Sequence, residues 1–328
     1  MKRISTAKLS EEQWQQTRLG LVRAGKVGGS DASTLLGLNP YKSAISLYYQ
    51  ALGLVSVPNK MNAIMLHGKQ LESYVADCWQ YWDGTEDGWV NNTLANNKIK
   101  EYKKVKAILM NPKYPALFAN IDGKITKHPD YQTHGILEVK TISGYSADMW
   151  EGGIPPSYLI QLQHYLIVTG WKWGEIVYMK DGRELGCVTF DADKELQERI
   201  LNAANDFYEN VNHVRGLLRE DAPQDELMDI AMQYEPPADD TKAFSDFISE
   251  KHKARENDVR VVADDDTESS IAGYTEVTAK IKSLETHKQL AQNQIKQFME
   301  REGANILTFN GGKITWRTKF NITYDKVN

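Results

Sequence analysis

The feature that most constrains this chain is the run Gly135-Ile136-Leu137-Glu138-Val139-Lys140-Thr141-Ile142. It reads as a β-strand. The two-residue period puts Ile136, Glu138, Lys140 and Ile142 on one side and Leu137, Val139 and Thr141 on the other. A carboxylate and an ammonium in the middle of an apolar strand are costly without partners or a purpose. Fifteen residues separate Glu138 from Asp122, which closes a second apolar segment, Ala116 to Gly123. An isolated Glu-x-Lys is commonly a structural pair on a solvent-facing strand edge. A second acid at the end of a neighbouring apolar segment points instead to metal-assisted hydrolysis. Asp122 and Glu138 supply hard oxygen ligands of the kind Mg²⁺ takes. Lys140 can orient and deprotonate a water, or stabilise charge on a phosphate.

Two predicted helices flank this pair. Residues 61–82 carry an apolar face (Leu71, Val75, Cys78, Trp79) and the segment Gly68-Lys69-Gln70-Leu71-Glu72. Glu72 sits beside that face, and Gly68 permits close backbone approach. Residues 157–169 follow a Pro-Pro break and put Gln161 and Tyr165 on one face, four residues apart. There they can reach a scissile phosphate and the attacking water. His164, next to them, reads as structural.

Taken together, these motifs resemble the YqaJ-type viral recombinase group, relatives of the bacteriophage lambda exonuclease within the PD-(D/E)XK nucleases. The resemblance covers roughly residues 14–210. It implies an α/β fold with a restriction-endonuclease-like core, a mixed central sheet flanked by helices. It assigns the first acid of a G-x-x-x-E segment to Glu72, the metal aspartate of a D-G strand end to Asp122, the E-x-K pair to Glu138 and Lys140, and the Q-x-x-x-Y pair to Gln161 and Tyr165. The backbone carbonyl of Val139 becomes a further metal ligand, and Glu72 reaches the metal through water. The proline often found before the metal aspartate is absent, since Asn120-Ile121 precede Asp122. The N-terminal segment from Trp14 to Ser33 also matches, which assigns Arg18 and Ser30 to the 5′-phosphate of a DNA end, with Thr141 and Ser143 adding hydroxyls. A fork of donors beside a helix start makes physical sense as an anion site. The resemblance further implies Mg²⁺ with Mn²⁺ as a substitute, 5′ to 3′ digestion of double-stranded DNA ends, and a homo-oligomeric ring trimer. The resulting 3′ tails would pass to a single-strand annealing protein, in a phage or prophage setting inside a bacterial cytoplasm. An endonuclease on the same core, or a non-catalytic DNA-binding module, are the rival readings.

Elsewhere the sequence predicts organisation more than chemistry. Residues 10–37 read as two short helices, the first opened by a Ser10–Gln13 capping box and the second by Ser30 or Asp31 as N-cap. Residues 88–126 read as strands and turns. Glu175–Met179 and Cys187–Phe190 read as strands joined at Asp181-Gly182, and 193–219 as a long helix. The nuclease-like domain is expected to span 1–220, with a linker at 221–240 rich in acid and proline. An appendage at 241–328 is expected as a helical hairpin with a short β-hairpin. In it Val277, Ile281, Leu284, Ala291, Ile295 and Phe298 form a near-heptad stripe with Lys288 in the gap. That stripe can pack on the core, mediate oligomerisation or meet a partner. Lys313, Arg317 and Lys319, interleaved with Trp316 and Phe320, can contact DNA. The formal net charge of −5 does not exclude a nucleic-acid partner, because a metal site gathers carboxylates and a basic channel can lie inside an acidic exterior. The two cysteines, Cys78 and Cys187, have no metal-binding spacing. Neither a secretory signal nor a membrane span is expected.

Overall fold

The computed structural model describes residues 1–55, 62–144, 149–150, 152–219, 221–253 and 260–324. They fall into two compact units, Met1–Arg255 and Glu256–Asn328. The first unit opens with strand β1 (Lys2–Ser5) and helices α1 (Glu11–Arg23), α2 (Gly29–Leu35), α3 (Ala44–Leu52), α4 (Ala63–Trp79) and α5 (Glu86–Leu94). Strands β2 (Glu101–Lys104), β3 (Ala107–Met110), β4 (Gly123–Lys127) and β5 (Gly135–Ile142) follow, then α6 (Pro156–Thr169), β6 (Trp173–Lys180) and β7 (Glu184–Asp191). Helices α7 (Lys194–Leu217), α8 (Gln224–Met232) and α9 (Lys242–Lys253) complete it.

The central sheet is five-stranded and mixed, in the order β2-β4-β5-β6-β7. Only β5 and β6 run parallel, and α6 makes the crossover such a pair requires. Both faces of the sheet are covered. Ile136 and Ile176 join Leu162 and Leu166 of α6 in the larger core cluster. Leu137, Val139 and Val177 join Val75 and Trp79 of α4 in the smaller one. The alternation in β5 is therefore real, but neither of its sides faces solvent, and Glu138 is 2% exposed. A solvent-edge ion pair is ruled out as the explanation of Glu138–Lys140.

The capping box forms as the sequence predicts: Ser10 Oγ accepts from the Gln13 N–H and Gln13 Oε1 from the Ser10 N–H. Three local expectations are corrected. Residues 88–126 contain α5, whose N-cap Thr85 accepts from the Gly88 N–H. The apolar segment before Asp122 is not a sheet strand. Leu117 and Ala119 make single bridges to Val27 and Leu109, and β4 begins only at Gly123. Neither Ser30 nor Asp31 caps α2; Gly28 does, with no side-chain hydrogen bond.

The stretch expected as a linker is packed on the first unit. The Tyr48 hydroxyl donates to the Ala231 carbonyl at 2.9 Å, and Lys251 of α9 donates to Glu235 at 2.7 Å and to the Tyr49 hydroxyl at 2.6 Å. With α9 placed there, the second unit has one long helix, α10 (Asp265–Arg301), in place of the expected hairpin of helices. Strands β8 (Ile306–Phe309), β9 (Gly312–Trp316) and β10 (Phe320–Tyr324) form an antiparallel sheet, one strand more than the expected hairpin. Met299 and Ile314 are buried in this unit, whereas Val277, Ile281 and Leu284 are exposed. Lys296 lies over the rings of Trp316 and Phe320, at 5.4 and 5.5 Å.

Candidate active site

Asp122 lies one residue beyond the Gly123–Leu137 pair of β4 and β5, which sets it across from Glu138. The Val139 N–H donates to Asp122 Oδ2 at 2.9 Å and fixes that carboxylate. Glu138 Oε1 accepts from Lys140 Nζ at 2.6 Å and from Gln161 Nε2 at 2.9 Å. Gln161 Nε2 also donates to the Tyr165 hydroxyl at 2.8 Å. One turn of α6 thus ties its two polar residues to the strand carboxylate. Tyr158, an α6 residue with no predicted role, completes the group by placing its ring 5.0 Å from Lys140 Nζ.

These side chains line a cleft of about 530 Å³. An adjoining hollow of about 580 Å³ shares Trp14, Arg18, Ser30, Glu72 and Asp122 with it, so the two form one groove. Glu72 reaches the groove from α4, where its Oε1 accepts from Lys104 Nζ at 2.8 Å. Lys104 was not foreseen, because nothing in its local sequence marks it. Thr141 lines the cleft on the α4 side. A side chain at Gly68 would meet Thr141 Oγ1 at 3.1 Å, which accounts for glycine at this helix–strand contact. Ser143 is exposed just past the end of β5 and does not line the cleft.

On the opposite wall, Arg18 Nη2 donates to Ser30 Oγ at 3.1 Å and to Asp31 Oδ2 at 2.6 Å. Lys42 Nζ donates to Asp31 Oδ1 at 3.0 Å. Asp31 is the residue that sequence reasoning missed as a site component. Its polar type suggests only a cap, and its partners lie 13 and 11 residues away. Gly29 is equally dictated by packing, since any Cβ there would sit 2.3 Å from the Tyr165 ring. The bare backbone lets α2, and with it Arg18 and Ser30, close on α6.

Electrostatics separate the roles these groups can take. Burial, then the nearby Glu138 and Glu72 carboxylates, raise the Asp122 carboxyl well above its usual range despite Lys140. Burial opposes the Lys140 charge, but Glu138 and Asp122 outweigh it and raise the ammonium above its usual range. Lys140 is thus a fixed cation. Burial, then Glu138 and Asp122, hold Tyr165 as a neutral phenol. Burial lowers the His164 pKa to about 4, so its ring is neutral, and Nε2–H donates to the Phe118 carbonyl at 2.9 Å. His164 is structural, as expected. Burial favours the neutral form of Asp31, yet the Arg18 and Lys42 charges prevail and hold it at about 2.

The donor set fits a hard divalent cation. The Asp122 and Glu138 carboxylates lie across from one another, Lys140 Nζ bonds Glu138 Oε1, and among the described residues Glu138 Oε2 is buried with no hydrogen-bond partner. Such an orphaned anionic oxygen is costly unless something positive faces it. Among the described residues no group of three or more His, Cys, Asp or Glu is gathered tightly enough to hold a metal. A bound ion would therefore draw on these two carboxylates, backbone oxygen and solvent, as Mg²⁺ commonly does.

The model of the YqaJ-like viral recombinase domain matches residues 13–172. This interval contains every cleft residue from Trp14 to Tyr165. Residues 13–172 are thus similar to a YqaJ-like viral recombinase domain. The YqaJ protein of Bacillus subtilis strain 168, itself uncharacterized, is 26% identical over 297 residues, which span 90% of this chain and 80% of that protein. An alkaline exonuclease from Laribacter hongkongensis is similar in structure, with a TM-score of 0.45 and 19% identity over 61% of this chain and 95% of that one. A phage-related exonuclease from Haemophilus somnus 129PT has a TM-score of 0.38 and 14% identity over 57% of this chain and 95% of its own. The mixed sheet with helices on both faces is an α/β architecture.

Proposed function

We propose that this YqaJ-like chain is a divalent-metal-dependent exodeoxyribonuclease that degrades duplex DNA from its ends in the 5′ to 3′ direction. The observation that carries the reading is the Asp122–Glu138 pair, with Glu138 buried, its Oε2 orphaned among the described residues, and its Lys140–Gln161 clamp. Asp122, Glu138 and the Val139 carbonyl would hold Mg²⁺, or Mn²⁺ in its place, with Glu72 acting through water. Bound there, the ion supplies Lewis-acid stabilisation of charge developing on a phosphodiester. Lys140, held as a cation, adds a second positive charge where that charge builds. Gln161 and Tyr165 position the attacking water; Tyr165 does so as a neutral phenol whose own O–H remains available to donate. Arg18 and Ser30 hold the terminal 5′-phosphate, with Thr141 and Ser143 supplying hydroxyls further along the strand. The nuclease acts as a ring of three subunits in the bacterial cytoplasm, and its 3′ tails pass to a single-strand annealing protein.

The test uses linear duplexes with a 5′-phosphate or a 5′-hydroxyl, labelled at either end, in Mg²⁺ and in EDTA. Label should leave the 5′-phosphorylated end, and both EDTA and Lys140→Ala should abolish the loss. Equal digestion of both end types removes the phosphate pocket but keeps the nuclease. Rapid nicking of closed circles replaces the exonuclease with an endonuclease. No digestion in any condition defeats the reading.

A further inference from the structure

A second charged surface lies beside the groove. Arg3 of β1, Lys103 and Lys104 of β2, Lys106 between β2 and β3, and Lys124 of β4 line a concave surface of about 330 Å³. No acidic side chain lines it. Lys104 is paired with Glu72, but Arg3, Lys103, Lys106 and Lys124 have no acidic partner among the described residues. Lys103 and Lys124 are direct partners across the antiparallel β2–β4 pair. Like charges directly opposite one another destabilise a sheet. In a chain with a net charge of −5, such a cluster is a local reversal of sign, and a polyanion resolves it.

The hollow is also tied to the reaction centre. Lys104, Val105 and Lys106 line both it and the groove. The Val105 N–H donates to the Asp122 carbonyl at 3.2 Å. Lys104 pairs with Gly123, the residue after Asp122, and the Lys103–Lys124 pair is one step further along.

We propose that Arg3, Lys103, Lys106 and Lys124 form a track for the sugar-phosphate backbone of DNA, and hold phosphates next to the one being cut. The proposal rests on the nuclease reading of the cleft. Lysines on an edge strand also discourage strand addition, and β2 is an edge strand. That role needs neither Arg3 on a separate sheet nor Lys124 on an interior strand converging on the same hollow.

The experiment measures binding of the full chain to a fluorescent duplex in EDTA, over a range of salt. It compares the native chain with the double variants Lys103→Gln/Lys124→Gln and Lys103→Arg/Lys124→Arg. Hydrolysis of thymidine 5′-(p-nitrophenyl phosphate) in Mg²⁺ is followed alongside, since that substrate has one phosphodiester and no neighbouring phosphate for the track to hold. The glutamine variant should lower the salt slope of log K by roughly 0.9 per cation removed, with small-substrate turnover unchanged. The arginine variant should retain the native slope. Native binding and an unchanged slope in the glutamine variant overturn the track, and leave edge protection or an acidic protein partner as the explanation. Parallel loss of duplex binding and small-substrate turnover also overturns it, because the cations would then support the cleft itself. No binding or cutting by the native chain removes the nuclease reading and the track together.

Discussion

At the scale of single residues, the site is a set of charges that only make sense in pairs. Asp31 shows this most clearly. It is fully buried, yet its carboxyl is held at about 2 because Arg18 and Lys42 both reach it. The unfolded carboxyl titrates near 3.8 and the folded one lower. The stability it contributes is therefore complete above about pH 4 and is lost as pH falls from about 4 toward 2. A difference of about two pH units corresponds to roughly 2–3 kcal/mol. Asp31→Asn should cost about 2–4 kcal/mol in urea unfolding at neutral pH, because two cations lose their shared partner. The acid limb of its stability curve should flatten over the same window. Duplex binding should weaken too, since Arg18 loses the group that aims it at Ser30. At the reaction centre, Lys140→Ala should reduce hydrolysis by about 100–1000-fold. Lys140→Arg should restore little, because a planar fork cannot replace a compact ammonium held 2.6 Å from Glu138 Oε1.

At the scale of elements, the site depends on how closely a few segments approach. Helix α6 meets α2 where Gly29 has no side chain, and a Cβ there would sit 2.3 Å from the Tyr165 ring. Gly29→Ala should therefore displace Tyr165 and break its contact with Gln161. An overpacked contact of this kind costs about 1–3 kcal/mol. Activity should fall more than stability does, which thermal melts and initial rates together would show. Tyr165→Phe separates the two effects, since it keeps the ring packing and removes only the hydroxyl. It should leave the melting temperature nearly unchanged while turnover drops. Strand β5 was legible in the sequence because its apolar side chains alternate around two charges. Helix α5 was not, because Gly88, Asn91, Asn92 and Thr93 carry little helical preference. The Thr85 cap and the edge contact of Trp89 with Trp82, at 6.4 Å between rings, hold it in place. The segment 116–122 was misread for the opposite reason. Its apolar run reports burial, and burial alone does not distinguish a sheet strand from a chain that crosses the core on single bridges.

At the scale of the whole molecule, every residue assigned to the cleft lies in the first unit, Met1–Arg255. That unit has its own core and its own sheet. A chain ending at Arg255 should fold alone and hydrolyse a small phosphodiester at a rate within about threefold of the full chain. Loss of that activity with folding intact would show that the second unit contributes to the chemistry. No helix among the described residues is long and apolar enough to cross a membrane.

Local sequence marked the candidate site residues and their order along the chain: a strand with Glu138 and Lys140 at its centre, Asp122 before a glycine, a helix with Gln161 and Tyr165, and Arg18 ahead of Ser30. These are local signals, set by side-chain period and by residues whose burial would be costly without a purpose. Only the tertiary structure decided which groups hold one another. Asp31 is the anchor of Arg18, Lys104 is the partner of Glu72, Tyr158 covers Lys140, and 221–253 belongs with the first unit. Each of these rests on contacts between segments distant in sequence, and no local period or spacing encodes a partner that the chain must fold to reach.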